Sequence, residues 1–299
     1  MPIDALNVID HARSENADVL IGMRGLASIP RMTKHLWLST VVALAASLSP
    51  ALAQAEVKGE LVDYKQGDTA LQGFFAFDDA VKGKRPTVVL VHEWWGNNEN
   101  THNQALRLAK AGYAAFALDM YGKGKVATHP DDAKKFVAEA TADSAKEKAR
   151  FDAAMTWVKA RAEVDPKKVA AIGYCFGGAV VLDMVRQGEQ FPLVATFHGA
   201  LSSKLTAKAP VKTRLLILHG AADPMITQDA LAAFKKEMTA AKANFQVIEY
   251  PGAQHGFTNP DAGKAGIPGV AYDAKADAES FAALLKALKE QMGAPPAAK

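Results

Sequence analysis

The sequence predicts an α/β fold in which a mostly parallel sheet carries helices on both faces. Short apolar runs rich in β-branched residues, such as residues 87–92, alternate with longer stretches of helical period. This alternation is typical of a parallel sheet covered on both sides. The chain has 299 residues, of which 49% are hydrophobic, and no composition break or internal repeat divides it. One core can therefore hold the whole folded part.

The elements can be justified in order along the chain. Residues 57–65 and 71–77 predict an opening hairpin, because Gly67-Asp68 supplies turn residues between them. A helix over 100–111 is expected to end at Gly112, which suits a helix C-terminus. The predicted core strands are residues 87–92, 114–119, 169–174, 193–197, 214–219 and 246–250, and the other predicted helices are residues 131–162 in one or two pieces, 176–187, 228–241 and 274–292.

Charge and cysteine content exclude several classes of protein. There are 35 Lys and Arg residues against 32 Asp and Glu, a formal charge of +3, with no long basic run. This balance gives no reason to expect a nucleic-acid partner. The single cysteine, Cys175, cannot form an internal disulfide or supply a Cys-rich metal site.

The N-terminus has the pattern of an export signal. A basic start at Met32 precedes an apolar stretch over 36–48 and an Ala-x-Ala site that ends at Ala53. The stretch is shorter than the roughly 20 residues that a spanning helix needs, so a cleaved signal is favoured over a membrane anchor. We expect residues 1–31 to be a non-native upstream extension, residues 32–53 a signal peptide cut after Ala53, and residues 54–299 one domain. The mature protein would be periplasmic or secreted.

The strongest motif is Gly173-Tyr174-Cys175-Phe176-Gly177-Gly178, between a predicted strand and a predicted helix. It matches the nucleophile elbow of α/β-hydrolases with cysteine in place of serine. Glycines two residues before and after the nucleophile avoid collisions in a tight turn. The following helix N-terminus favours a thiolate. Cys175 is therefore the expected nucleophile rather than a buried small hydrophobic residue.

The other two members of a triad follow in the order acid, then histidine. Asp223 lies in the loop after the strand that ends at His219, and it is the expected acid. Asp229 is the alternative, although it lies in the first turn of the next helix, where an acid has a structural role. Among the histidines, His255 alone follows both Cys175 and Asp223 along the chain. His129, His198 and His219 are expected to have solvated or structural roles.

A further group follows the first core strand, in His92-Glu93-Trp94-Trp95-Gly96. A zinc-protease motif is excluded, because Gly96 stands where the second histidine would be. We therefore predict no metal-binding residues. The backbone N–H groups of Trp94 and Phe176 are the expected oxyanion hole, since such sites take one donor from the residue after the nucleophile and one from an early loop.

Taken together, these motifs resemble those of the dienelactone hydrolases, or carboxymethylenebutenolidases, over residues 57–292. The resemblance implies an α/β-hydrolase fold in which Cys175 is the nucleophile, His255 the base and Asp223 its orienting acid. It also implies that Glu93 is an extra carboxylate that pairs with the cysteine at rest and moves when substrate binds. The matching segments are residues 92–96, 117–122, 173–178, 220–223 and 252–257.

One departure from the family concerns the substrate. The best-known members hold an anionic lactone with an arginine shortly after the catalytic histidine, whereas Asn259 stands in that region here. An asparagine amide lacks the guanidinium fork that binds carboxylates. Lys134 or Lys135 could supply charge, although both fit a solvated helix face. The expected substrate-binding residues are Trp95, Tyr121, Phe257 and Asn259, with Trp94 also against the site.

The predicted function is hydrolysis of a carboxylic ester or lactone through a Cys-His-Asp triad and a covalent acyl-enzyme, without any cofactor. The alternatives are a broad carboxylesterase or thioesterase that does not act on dienelactone, a redox-active thiol protein, and a silent binding protein. The expected partner is a small-molecule ester or lactone, with no stable membrane insertion after signal cleavage. We expect a monomer or a weak homodimer.

Overall fold

The computed structural model describes residues 57–296. They form an eight-stranded sheet, whose strands are β1 Val57–Gln66, β2 Thr69–Asp78, β3 Arg85–Val91, β4 Ala114–Leu118, β5 Val164–Tyr174, β6 Leu193–Phe197, β7 Arg214–Gly220 and β8 Asn244–Tyr250. Their order across the sheet is β1-β2-β4-β3-β5-β6-β7-β8. Strand β2 is antiparallel to both of its neighbours, β1 and β4, whereas the strands β3 to β8 are parallel to one another.

Helices cover both faces of this sheet, which confirms the predicted fold class. The helices are α1 Glu99–Lys110, α2 Pro130–Thr141, α3 Ser144–Lys159, α4 Phe176–Arg186, α5 Gln228–Ala240 and α6 Ala274–Met292, with a short 3-10 helix at Ala262–Ala265. Along β3, Val89 and Val91 join the core beneath α3, α4 and α5, whereas Val88 and Leu90 join the core beneath α1 and α6. Alternating side chains of one strand thus feed two cores, and each fully buried aliphatic side chain contributes about 1.5–3 kcal/mol.

A helix cap and a strand pairing explain where two of the elements begin. The predicted helical stretch over 131–162 divides into α2 and α3, because the Asp143 side chain accepts a hydrogen bond from the Ala145 N–H and caps a new helix. Strand β5 begins at Val164, five residues before its predicted start, because Val164 pairs with Arg85 across a register shift.

The predictions for residues 1–53 lie outside the described residues. Within residues 57–296, no helix combines the length and apolar character that a membrane crossing requires.

Candidate active site

Cys175 occupies a strained turn between β5 and α4. Its backbone has φ 51° and ψ −113°, a conformation that L-residues rarely adopt. The flanking glycines are needed for steric reasons. A Cβ atom on Gly173 would lie 2.0 Å from the Gly177 carbonyl oxygen, and one on Gly177 would lie 2.2 Å from the carbonyl oxygen of Val91. The turn lifts the sulfur above the carboxyl edge of the sheet, where ligands of parallel sheets bind.

Three predicted side chains meet at this edge in a continuous hydrogen-bonded chain. His255 Nε2 lies 3.0 Å from the Sγ atom of Cys175, and His255 Nδ1 lies 2.8 Å from Oδ2 of Asp223. The other oxygen of Asp223 accepts a hydrogen bond of 2.8 Å from the Met225 N–H, so the carboxylate is held from both sides. The His255 backbone N–H donates a hydrogen bond to the Gly269 carbonyl, and this bond helps to fix the loop after β8.

The electrostatics of these three hydrogen-bonded side chains favour a protonated His255. Burial lowers the pKa of His255, but the Cys175 sulfur and the Asp223 carboxylate outweigh it and raise that pKa to about 10. The Nε2–H group therefore donates towards sulfur, and the Nδ1–H group donates to Asp223. This arrangement can deliver a sulfur nucleophile and then carry a proton to a leaving group.

His198 packs against the same imidazole and is missing from the predicted site. Its ring centroid lies 5.2 Å from that of His255, and its Nε2 atom lies 2.8 Å from the Thr258 hydroxyl. Burial lowers the pKa of His198 well below its usual value, and the positive charge of His255 lowers it further. His198 is thus a neutral, buried neighbour, consistent with the structural role expected from the sequence.

Glu93 lies in the same cavity but does not bond the cysteine. Its Oε2 atom accepts hydrogen bonds from the side-chain amides of Asn259, at 2.6 Å, and Asn100, at 3.4 Å. The expected resting pair of Glu93 with Cys175 is therefore absent from this structure, because the two amides hold the carboxyl group and the sulfur faces His255. Burial raises the pKa of Glu93, and this effect exceeds the lowering of the pKa by the hydrogen bond from Asn259.

The loop that carries Glu93 is fixed by buried polar contacts. His92 Nε2 accepts a hydrogen bond from the Met120 N–H, so its Nδ1 carries the proton and donates to the Glu93 carbonyl at 2.6 Å. The Tyr121 hydroxyl donates to the Trp94 carbonyl at 3.0 Å. Neither the Trp94 N–H nor the Phe176 N–H donates a hydrogen bond to any residue that the structure describes. Both remain available to an oxyanion.

A cavity of about 110 Å³ adjoins the sulfur. Its wall is mainly apolar and combines the Trp94-Trp95 pair with side chains from the loops after β7 and β8. The lining residues are Glu93, Trp94, Trp95, Cys175, Met225, His255, Gly256, Asn259, Ala262, Ile267 and Val270. The sequence did not predict four of these, because Met225, Ile267 and Val270 lie on loops and Ala262 in the short 3-10 helix, and these segments have no period or motif.

Two expected substrate-binding residues lie elsewhere. Tyr121 is 2% exposed and supports the Trp94 carbonyl from below, so it positions the loop instead of walling the cavity. Phe257 is 0% exposed and packs against Tyr250 and His198 in the core beneath α1 and α6. Both lie in segments that resemble the family and were expected to wall the site, but their side chains point into the protein.

Other predicted alternatives are separated from the site. Asp229 lies exposed in the first turn of α5, next to the capping residue Thr227. Lys134 is exposed and pairs with Asp131, and Lys135 is exposed on the same helix. In the part of the chain from 57 to 296, no cluster of three or more His, Cys, Asp or Glu side chains could hold a metal ion.

Residues 71–292 match the sequence model of the dienelactone hydrolase family, a span that includes the Cys175-His255-Asp223 chain. The chain belongs to the dienelactone hydrolase family. Membership identifies it as a hydrolase of the carboxymethylenebutenolidase type. The eight-stranded sheet with its nucleophile-elbow turn agrees with this family's α/β-hydrolase fold.

The matches to similar proteins cover most of this dienelactone hydrolase family member. A solved dienelactone hydrolase-like promiscuous phosphotriesterase from metagenomic libraries is 37% identical, with a TM-score of 0.76, and the match covers 79% of this chain and 99% of that one. A protein of Aquifex aeolicus (strain VF5), provisionally named carboxymethylenebutenolidase, is 28% identical over 67% of this chain and 87% of its own length. A Thermogutta terrifontis esterase, 21% identical with a TM-score of 0.57 over 83% of this chain and 98% of its own, shares the fold.

Proposed function

We propose that this protein hydrolyses carboxylic esters or lactones through Cys175, His255 and Asp223, with a covalent acyl-enzyme. The observation that carries the proposal is the unbroken chain from Sγ through the imidazole to the buried carboxylate, at 3.0 Å and 2.8 Å. A sulfur nucleophile, a base within hydrogen-bond reach and a group that orients the base are the parts that acyl transfer requires.

In the first half-reaction, the Cys175 thiolate attacks the substrate carbonyl carbon and forms a C–S bond. The carbonyl oxygen becomes an oxyanion, which accepts hydrogen bonds from the free backbone N–H groups of Trp94 and Phe176. When the oxyanion collapses, the C–O bond to the leaving group breaks. The leaving oxygen takes the proton from His255 Nε2, and a thioester remains on the enzyme.

In the second half-reaction, the neutral imidazole of His255 removes a proton from water while the oxygen of that water attacks the thioester. The C–S bond breaks, and the acid product leaves. The thiolate then again faces a protonated imidazole, whose charge Asp223 stabilises at 2.8 Å. The cycle consumes one ester or lactone and one water, and it returns the thiol in its starting oxidation state, so no redox step is needed.

Asp223→Asn tests this assignment on a panel of an enol lactone, an aryl ester and an alkyl thioester. Removing the carboxylate deletes one of the two groups that raise the His255 pKa, so we expect that pKa to fall below about 10. We expect kcat to fall about 100-fold or more on every substrate that the wild type hydrolyses, since the imidazole loses its orienting partner. Steady-state kinetics and NMR of labelled histidine measure the two effects.

Asp229→Asn is the matched control for this experiment. It removes the same charge from the other acid after β7, which lies exposed in the first turn of α5. We expect this variant to keep its activity within about twofold, because it changes only a helix-terminal charge. Equal losses in the two variants, or activity that is unaffected by Asp223→Asn, would reject the proposed triad.

We also propose that the protein is exported, on the basis of the basic, apolar and Ala-x-Ala pattern of residues 32–53. Expression of the full sequence in a bacterial host should give a mature protein that starts at Gln54 and fractionates with the periplasm or medium. N-terminal sequencing measures this, and a signal-peptidase site variant, Ala53→Leu, should block the cleavage. A mature N-terminus before Met32 would contradict both the signal and the non-native origin of residues 1–31.

A further inference from the structure

The cavity beside the Cys175 sulfur is lined by no lysine or arginine, and His255 is its one cationic side chain among residues 57–296. Apart from Cys175 and the protonated His255, its polar groups are the Glu93 carboxyl and the Asn259 amide. The remaining wall is apolar, with the Trp94 and Trp95 rings 5.0 Å apart on one side and Ile267 and Val270 among the other lining residues. Both ring nitrogens of His255 are already bonded to Cys175 and Asp223, so a substrate carboxylate bound here would lose its water without gaining a free cationic partner, which is costly.

The Asn259 amide is fixed in an orientation that serves Glu93. Its Oδ1 atom accepts a hydrogen bond of 2.9 Å from the Asp261 N–H, so its Nδ2 atom must face Glu93, to which it donates at 2.6 Å. Asn259 is 4% exposed and Glu93 is 6% exposed. The Asn259 amide donor at the cavity is therefore already committed to a protein carboxyl group, and a substrate carboxylate would have to displace that group.

The lysine that lines an adjoining cavity does not supply the missing cation. Lys264 borders an adjoining cavity of about 320 Å³ that shares Trp95 and Asn259 with the first. Its side chain is 76% exposed and forms an ion pair of 2.8 Å with Asp261. A solvated lysine paired with an acid contributes little net attraction to an anion. Lys264 therefore offers a substrate carboxylate no strong cationic partner.

We infer that Glu93 and Asn259 together determine which substrates the enzyme accepts according to their charge. The enzyme hydrolyses esters and lactones with an uncharged acyl group and rejects those whose acyl group carries a carboxylate. This inference rests on the proposed function and narrows its substrate class. Glu93 takes up the Asn259 amide donor that a substrate carboxylate would otherwise use, and specificity commonly needs an element that disfavours the wrong partner beside the attractive contacts. The small apolar cavity favours a short aliphatic acyl chain.

Two 4-nitrophenyl esters with acyl chains of equal length test the inference. 4-Nitrophenyl valerate ends in a methyl group, and mono-4-nitrophenyl glutarate ends in a carboxylate. We expect kcat/KM to be at least about tenfold higher for the valerate ester. In Asn259→Arg, whose guanidinium would offer a cationic partner to the substrate carboxylate, we expect this ratio of kcat/KM values to narrow at least about tenfold.

Thr156→Arg is the matched control, because it adds the same charge on α3, at a residue outside the lining of the cavity. We expect its ratio to stay within about twofold of the wild type. Wild-type turnover of the glutarate ester as fast as the valerate ester would overturn the inference, whether or not Asn259→Arg folds. An equal narrowing in Thr156→Arg would overturn it too. If neither ester is hydrolysed in a way that depends on Cys175, the proposed function itself fails.

Discussion

Cys175→Ala is expected to lower kcat for every ester or lactone substrate by about 10³-fold or more, which corresponds to about 4 kcal/mol of transition-state stabilisation. The alanine has no atom that can form the thioester, so only the oxyanion donors and binding contacts remain. Sulfur lies at the start of the hydrogen-bonded chain to His255 and Asp223, and the described residues offer no second thiol. Steady-state kinetics with an aryl ester measure the loss.

Two measurements separate loss of chemistry from loss of structure. The thermal unfolding midpoint of Cys175→Ala should stay close to that of the wild type, since Cys175 is only partly buried and alanine deletes a single heavy atom. In the wild type, mass spectrometry of a quenched reaction should find the acyl group on the peptide that contains Cys175. Substantial activity in the alanine variant would defeat the covalent mechanism.

Gly177→Ala should destabilise the fold by more than about 3 kcal/mol, a large share of the 5–15 kcal/mol that typical domains have. The new Cβ atom would lie 2.2 Å from the Val91 carbonyl oxygen and 2.7 Å from that of His92. Both atoms belong to the backbone at the end of the central strand β3, so neither can move without disturbing the sheet. Chemical denaturation measures the loss, and failure to accumulate as soluble protein would be the extreme form of the same result.

Gly263→Ala provides the control for this substitution. Gly263 has no positive φ, and a Cβ atom there would meet nothing within 4 Å. We expect its free energy of unfolding to change by less than about 0.5 kcal/mol. A cost for Gly177→Ala no larger than that for Gly263→Ala would show that the elbow can relax, and the steric account of the motif would then be wrong.

Most of the secondary structure could be predicted because local signals are strong in this chain. Strand β6 and helix α6 have the predicted bounds, and other core elements differ by a few residues at their ends. The largest difference is the early start of β5, where Val164 pairs with Arg85. That pairing joins residues distant in sequence, so hydrophobic period alone could not reveal it.

The site was only partly predictable, for a similar reason. Each of Cys175, Asp223 and His255 follows a strand, and parallel strands bring their carboxyl ends to one edge, so position in sequence indicated that these three meet. Whether a nearby aromatic residue faces the cavity or the core depends on loop conformation. Tyr121 and Phe257 therefore could not be distinguished from Trp94 and Trp95 in advance.

The sequence by itself determined the order of strands and helices, the elbow glycines and the identity of the three hydrogen-bonded side chains, since all of these depend on local pattern and chain order. Only the tertiary structure decided what Glu93 contacts. Its partners, Asn100 and Asn259, come from α1 and from the loop after β8, and no local pattern links the three. Substrate charge preference depends on that long-range packing, because packing sets which buried donors and carboxyl groups are satisfied.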